Sequence, residues 1–304
     1  MKDGSCLGLV VYCWGLSEQS HLIASCLAPA AAELEQAGSS FFWFDRFDAR
    51  GPHVFAVFAL PPDRIPMAQE LLTRRVADHL ALYPSREDLP DHELLARHQA
   101  CRGTEFCMID ARRGFGERNT FDFCPHPTDG YSFPFGLSRY VREPDRLWEL
   151  MSDSAGWVAG QLARNPGRTP TAVAIRWMAS FAQTLQSRYP QAGAYWRYHA
   201  ATMIRLRRRG PVALDEIARV VGARNEALFT PVWAAAAVEP PFWPRLPQLV
   251  DLALETGEPE RIHPLLREVA HITMRQLGLI AKLERPLLLF AWKDSLVRSG
   301  AAFG

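Results

Sequence analysis

The segment from Ser39 to Pro61 constrains this chain most. Two runs rich in aromatic and β-branched residues flank Asp48-Ala49-Arg50-Gly51-Pro52. Residues of that kind favour a pleated surface, and Gly and Pro punctuate, so the segment predicts a β-hairpin with a turn of a few residues. Along the first strand Phe42, Phe44 and Arg46 share one face, and Phe41, Trp43, Asp45 and Phe47 the other. Neither face is polar, which predicts that both are covered. Asp45 and Arg46 must then find partners or a wet cleft, because a charge inside so aromatic a segment is costly unless satisfied. The hairpin is either a central element with its charges at the rim or the wall of a pocket.

The elements around it follow from periodicity. Leu7–Trp14 is a continuous apolar run of strand length. A helix begins at Ser17, with Leu22, Ile23, Cys26, Leu27, Ala30 and Leu34 at helical spacing and Gly38 as its stop. Met67–Tyr83 reads as a second helix. Strand, helix, strand, strand, helix predicts an α+β fold, an antiparallel sheet with helices packed on it. Pro84–Ser138 reads as irregular, with short strands at Glu105–Ile109 and Thr120–Phe123, and a segment of that length tends to carry function. The rest is mainly helical, with helices expected at 145–163, 171–188, 194–207, 213–221, 225–238, 247–255, 264–277 and 281–298. The expected division is an α+β region over 1–138 and a helical region over 139–304, together forming one compact unit.

Composition excludes several classes. The 304 residues carry a net charge of +1, which gives no global electrostatic pull toward nucleic acid or a membrane surface. No apolar run approaches the ~20 residues of a membrane span, and the N-terminus lacks the layout of a signal peptide. Six scattered cysteines form no CxxC and no Cys/His pairing, which argues against a zinc site and for reduced thiols in the cytoplasm. Arg205, Arg207, Arg208 and Arg209 close a helix before Gly210-Pro211, where cations complement the helix dipole. Docking of an acidic peptide or of RNA is the functional reading of that cluster, with RNA disfavoured by the near-zero net charge. Oligomeric state is not legible.

The order of motifs resembles a known family. A hydrophobic strand and helix precede Phe41-Phe-Trp-Phe-Asp-Arg-Phe-Asp48, a short turn, and Pro52-His53 opening the next strand. Near the C-terminus stands His271-Ile-Thr-Met-Arg-Gln-Leu-Gly278, followed by a last helix containing Glu284, and Asp153-Ser154 lies in a long helix. This resembles the glutamate-elimination domain of class I lantibiotic dehydratases and the stand-alone proteins of that superfamily in thiopeptide biosynthesis, over nearly the whole chain. The elimination domains carry alternating arginines on the strand after Pro-His, a clamp for a glutamyl carboxylate. Here that strand is Val54-Phe-Ala-Val-Phe58, and the Asn-Arg pair after the histidine is Arg275-Gln276. Without bidentate cations the geometry for holding a carboxylate is gone.

The resemblance therefore implies the pyridine-synthase branch, in which two dehydroalanines of a modified ribosomal peptide join in a formal [4+2] cycloaddition. Water and the leader peptide are lost, and no cofactor or metal is needed. The implied partner is the precursor peptide, leader plus azole- and dehydroalanine-containing core. The implied catalytic set is His271, Gln276, Ser154 and Tyr131, with Asp45, Arg46, His53, Asp153 and Arg275 at the substrate. Each has a plain structural reading beside it: a core histidine, a back-bonded helical serine, a packed loop tyrosine. Two rivals remain, a stand-alone glutamate eliminase and a non-catalytic subunit that binds leader peptide.

Overall fold

A computed structural model describes residues 5–48, 51–101, 116–124, 135–164, 171–205, 227, 229–234, 242–279 and 281–298. The chain divides into two compact units, Met1–Ser138 with Pro144–Thr169, and Arg139–Glu143 with Pro170–Gly304.

The first unit holds a four-stranded antiparallel sheet of β1 (Ser5–Tyr12), β2 (Phe41–Phe47), β3 (His53–Leu60) and β4 (Thr120–Cys124), in the order β2-β3-β1-β4. The continuous apolar run takes the place expected of it: β1 lies between two neighbours, pairing Leu9 with Ala56 on one side and Phe123 on the other. The hairpin forms in the register Phe47 to His53. Every residue of β2 and β3 is buried, so the expectation that both faces are covered holds. Gly51 closes the turn at φ +97°, a backbone region that costs a side chain energy, and its amide donates to the Asp48 carbonyl.

Helices α1 (Leu16–Leu22), α2 (Ala28–Gln36), α3 (Ile65–Leu82), α4 (Asp91–Cys101) and α5 (Pro144–Arg164) complete this unit. A single π turn, Ile23–Leu27, joins α1 to α2 inside what the spacing predicts as one helix. Helix α5 lies on β2. Trp148 meets Phe41 edge-on at 5.8 Å, and the Ser152 hydroxyl accepts the Phe42 amide, which satisfies one donor of the sheet edge. A polar knot ties the end of β1 to the later chain. Ser85 Oγ accepts from the Trp14 and Gly15 amides, and Asn119, at φ +63°, bonds both backbone groups of Ser85.

The second unit contains α6 (Thr171–Arg188), α7 (Ala192–Arg205), α8 (Leu246–Leu254), α9 (Pro259–Gln276) and α10 (Ala281–Arg298). Helix α9 starts five residues before the expected Pro264. Pro259 takes the first-turn position that proline favours, and Pro264 sits inside the helix. The expected strand at 105–109 and helix at 213–221 lie outside the described residues, as does half of that at 225–238. No described helix is long and apolar enough to cross a membrane.

Candidate functional site

The geometry with the clearest chemistry belongs to the end of α9 and the start of α10. Helix α9 stops in a Schellman motif: Leu279 donates to the Met274 carbonyl, Gly278 to that of Arg275, and Gly278 adopts φ +80°. That turn sends α10 back so that Glu284 meets His271, with His271 Nδ1 2.6 Å from Glu284 Oε1. The carboxylate is 2% exposed and the imidazole side chain 21%. A carboxylate can only accept here, so Nδ1 carries the proton and the ring's lone pair falls on Nε2. A buried carboxylate behind an imidazole fixes its tautomer and stabilises the imidazolium that forms when Nε2 takes a proton.

A second set of polar groups lies along the same helix. His263, Arg267 and His271 recur at i, i+4 and i+8, which places them in one stripe. Helix α7 packs on α9, and Tyr195 and Tyr198 hold ring contacts with His263 at 5.9 and 5.4 Å. Tyr195 and His199, both fully buried, bond through Oη and Nδ1 at 3.0 Å. Arg267 pairs with the buried carboxylate of Glu268. Burial first, then the charges of Arg267 and His271, push the His199 pKa well below the ordinary histidine value, so His199 is neutral. Burial raises that of Tyr195 well above 10, so the phenol keeps its proton.

The residues expected from sequence divide between the units. His271, Arg275 and Gln276 all lie on α9: Arg275 one turn beyond His271, and Gln276, 1% exposed, in the last turn. In the first unit, Ser154 lies on α5 with its Oγ buried and without a hydrogen-bond partner, so it is not the back-bonded helical serine of the plain reading, and Asp153 is exposed beside it. His53 is fully buried, its Nδ1 donating to the Gly51 carbonyl at 2.9 Å. Asp45 and Arg46 find partners within the fold. Asp45 Oδ1 accepts the Arg46 amide, and the Arg46 guanidinium reaches the Leu16 carbonyl, Gln19 Oε1 and Ser20 Oγ on α1. Burial lowers its pKa to about 10, opposed by Asp45 and Cys13, so it remains a cation. Tyr131, Arg207, Arg208 and Arg209 lie outside the described residues, as does the side chain of Arg205, the last residue of α7.

The thiols of Cys13 and Cys26 are pushed up by burial to about 12 and about 11, so neither is a ready nucleophile. Among the described residues no group of three or more His, Cys, Asp or Glu is placed to hold a metal ion. Tyr195, His199 and Glu268 were not singled out from sequence. The Tyr-x-x-x-His spacing on a helix was the available signal, and it is a weak one.

No known family model matches this sequence, and no curated protein matches it. Solved structures do. The pyridine synthase TbtD from thiomuracin biosynthesis superposes with a TM-score of 0.69 at 21% identity, covering 98% of this chain and 100% of its own. The two share one fold. TsrL follows with a TM-score of 0.59 at 16% identity, covering 98% and 96%. The tRNA-dependent lantibiotic dehydratase MibB from Microbispora sp. 107891 gives 0.52 at 13%, with 98% of this chain spanning 29% of that one. The pyridine-synthase fold and a lantibiotic dehydratase are therefore both among its neighbours, the two branches that the sequence motifs resemble.

Proposed function

We propose that this chain is a thiopeptide pyridine synthase. The observation that carries the reading is the end-to-end fold match with TbtD, in which neither chain has a large part left over. The substrate is a ribosomal peptide with azoles and two dehydroalanines. One dehydroalanine and its neighbouring amide become a 2-azadiene when the amide tautomerises to an iminol, and the second dehydroalanine adds across it. That addition closes the macrocycle, and loss of water, then of the leader as its carboxamide, leaves the pyridine.

The His271–Glu284 pair suits the proton steps. Nε2 takes the amide N–H proton and returns it to the amide oxygen as the iminol forms, while Glu284 stabilises the intervening imidazolium. Gln276, which both donates and accepts, orients the amide or iminol. Strand β3 argues against a carboxylate clamp, because Val54–Phe58 is apolar and fully buried. The opposing observation is that Arg267 and Arg275 lie one turn to either side of His271, where a glutamate eliminase would want cations. Incubating the purified chain with a doubly dehydrated azole peptide and weighing the products separates the two: cyclisation detaches the leader, and elimination does not.

A further inference from the structure

A cluster of polar side chains in the first unit takes no part in the chemistry proposed above. His21 stands in the last turn of α1, Ser25 in the π turn that follows, and His79 in the last turn of α3. The Ser25 hydroxyl donates to the His21 carbonyl at 2.7 Å, which commits its single proton and leaves its oxygen an acceptor. That oxygen lies 3.4 Å from His21 Nδ1 and 3.5 Å from His79 Nδ1. Two ring nitrogens from different helices therefore converge on one point. The contacts are long for hydrogen bonds, so little is lost when they are given up. Among the described residues neither Nε2 has a hydrogen-bond partner, and neither is sealed from solvent. Water can serve an Nε2 proton on each ring while the Nδ1 lone pairs face inward.

The spacing of the rings suits a shared ion. Their centroids are 5.1 Å apart and their planes 32° from parallel. A tetrahedral ion about 2.0–2.1 Å from one nitrogen of each ring holds two imidazole centres roughly 5 Å apart. Turning the rings toward each other completes such a site without moving either helix. The cluster also opens to the surface. Ser25 is exposed, and Tyr83, 53% exposed, packs against both rings at centroid distances of 4.4 and 5.3 Å.

We propose that His21 and His79 form a two-histidine site for a divalent transition-metal ion, bound through Nδ1 of each ring. Imidazole nitrogen selects Cu²⁺, Ni²⁺ or Zn²⁺ over Mg²⁺ and Ca²⁺, which take oxygen ligands. Among the described residues no third His, Cys, Asp or Glu joins the pair, so water fills the other positions, and the Ser25 oxygen accepts from one of those waters. A site left open in this way holds an exchangeable ion, unlike the closed four-ligand sites of structural zinc. The bound ion ties α1 to α3 and stabilises the first unit by mass action. The proposal is independent of the His271–Glu284 pair and of the pyridine-synthase reading.

The test uses the full chain, stripped with a chelator, dialysed, and titrated with Cu²⁺, Ni²⁺ and Zn²⁺, with Mg²⁺ as the control. One equivalent should bind, Cu²⁺ most tightly, and raise the Tm, whereas Mg²⁺ should do neither. Electron paramagnetic resonance of the Cu²⁺ form should show splitting from two nitrogens. His21→Gln, at a half-buried position, should weaken binding at least about tenfold, abolish the rise in Tm and remove the two-nitrogen signal, with the metal-free Tm near that of the wild type. His79→Gln should have the same effect on binding and signal. The chain carries nine histidines, so an ion held elsewhere is the competing outcome. A two-nitrogen signal and a rise in Tm that survive both substitutions overturn the proposal, as does a wild type that binds none of the three ions or shows a single nitrogen.

Discussion

His271 and Glu284 stand 13 positions apart in sequence and 2.6 Å apart in space, joined across the turn at Gly278. The imidazole is partly open and the carboxylate is buried behind it, an arrangement that fixes the tautomer of the ring.

Replacing Glu284 by Gln keeps the volume and removes the charge that stabilises the imidazolium. Turnover of the dehydrated peptide should fall by about 10²–10⁴ while its Kd is unchanged. Single-turnover rates and equilibrium binding, measured side by side, check this. A parallel loss of binding would make Glu284 a structural residue.

The turn itself is testable. Gly278 holds φ +80°, so Gly278→Ala should destabilise the chain by about 1–2 kcal/mol, read as a lower urea midpoint at unchanged m. Turnover should fall at temperatures where the variant is still folded, because the turn no longer fixes Glu284 against His271.

Arg46 is bound for stability within the first unit, with three acceptors on α1. Arg46→Met should leave the buried Gln19 Oε1 without this donor and lower stability by about 1–3 kcal/mol. Denaturant titration checks this, and an unchanged midpoint would show that the guanidinium is held for the ligand instead.

Acid should weaken the fold through its buried histidines. Burial first, then His21, lowers the His79 pKa from 6.5 to about 4, and His199 shifts in the same direction. Above 6.5 both folded and unfolded forms are neutral, and the shift has no effect. Below it the unfolded chain takes up protons that folded His79 refuses until about 4, so stability falls as the pH drops through that window. Urea midpoints at neutral pH and near the lower end of the window measure the slope, which His79→Gln should reduce.

Much of the first unit was legible because its signals are local. The Phe41–Phe47 and His53–Leu60 strands pair as the aromatic runs and Gly-Pro turn require, and β1 lies inside the sheet as its unbroken apolar run requires. Helix α4 was missed because its burial rests on little: Leu94 is buried while the adjacent Leu95 is largely exposed, and no stripe develops. The π turn at Ile23–Leu27 shifts backbone hydrogen bonding by one residue and leaves no mark in side-chain type. His271 was singled out from its motif. Its bond to Glu284 was not, because it depends on how sharply the chain reverses at Gly278.

Mass analysis of the products from the purified chain and a leader-bearing, doubly dehydrated azole peptide tests the central claim most directly. Pyridine formation predicts two species: a macrocycle lighter than the substrate by the leader carboxamide and one water, and the free leader carboxamide itself. Neither should appear with His271→Ala. A substrate returned intact, or a glutamylated peptide converted to its linear dehydrated form with glutamate released, would contradict it.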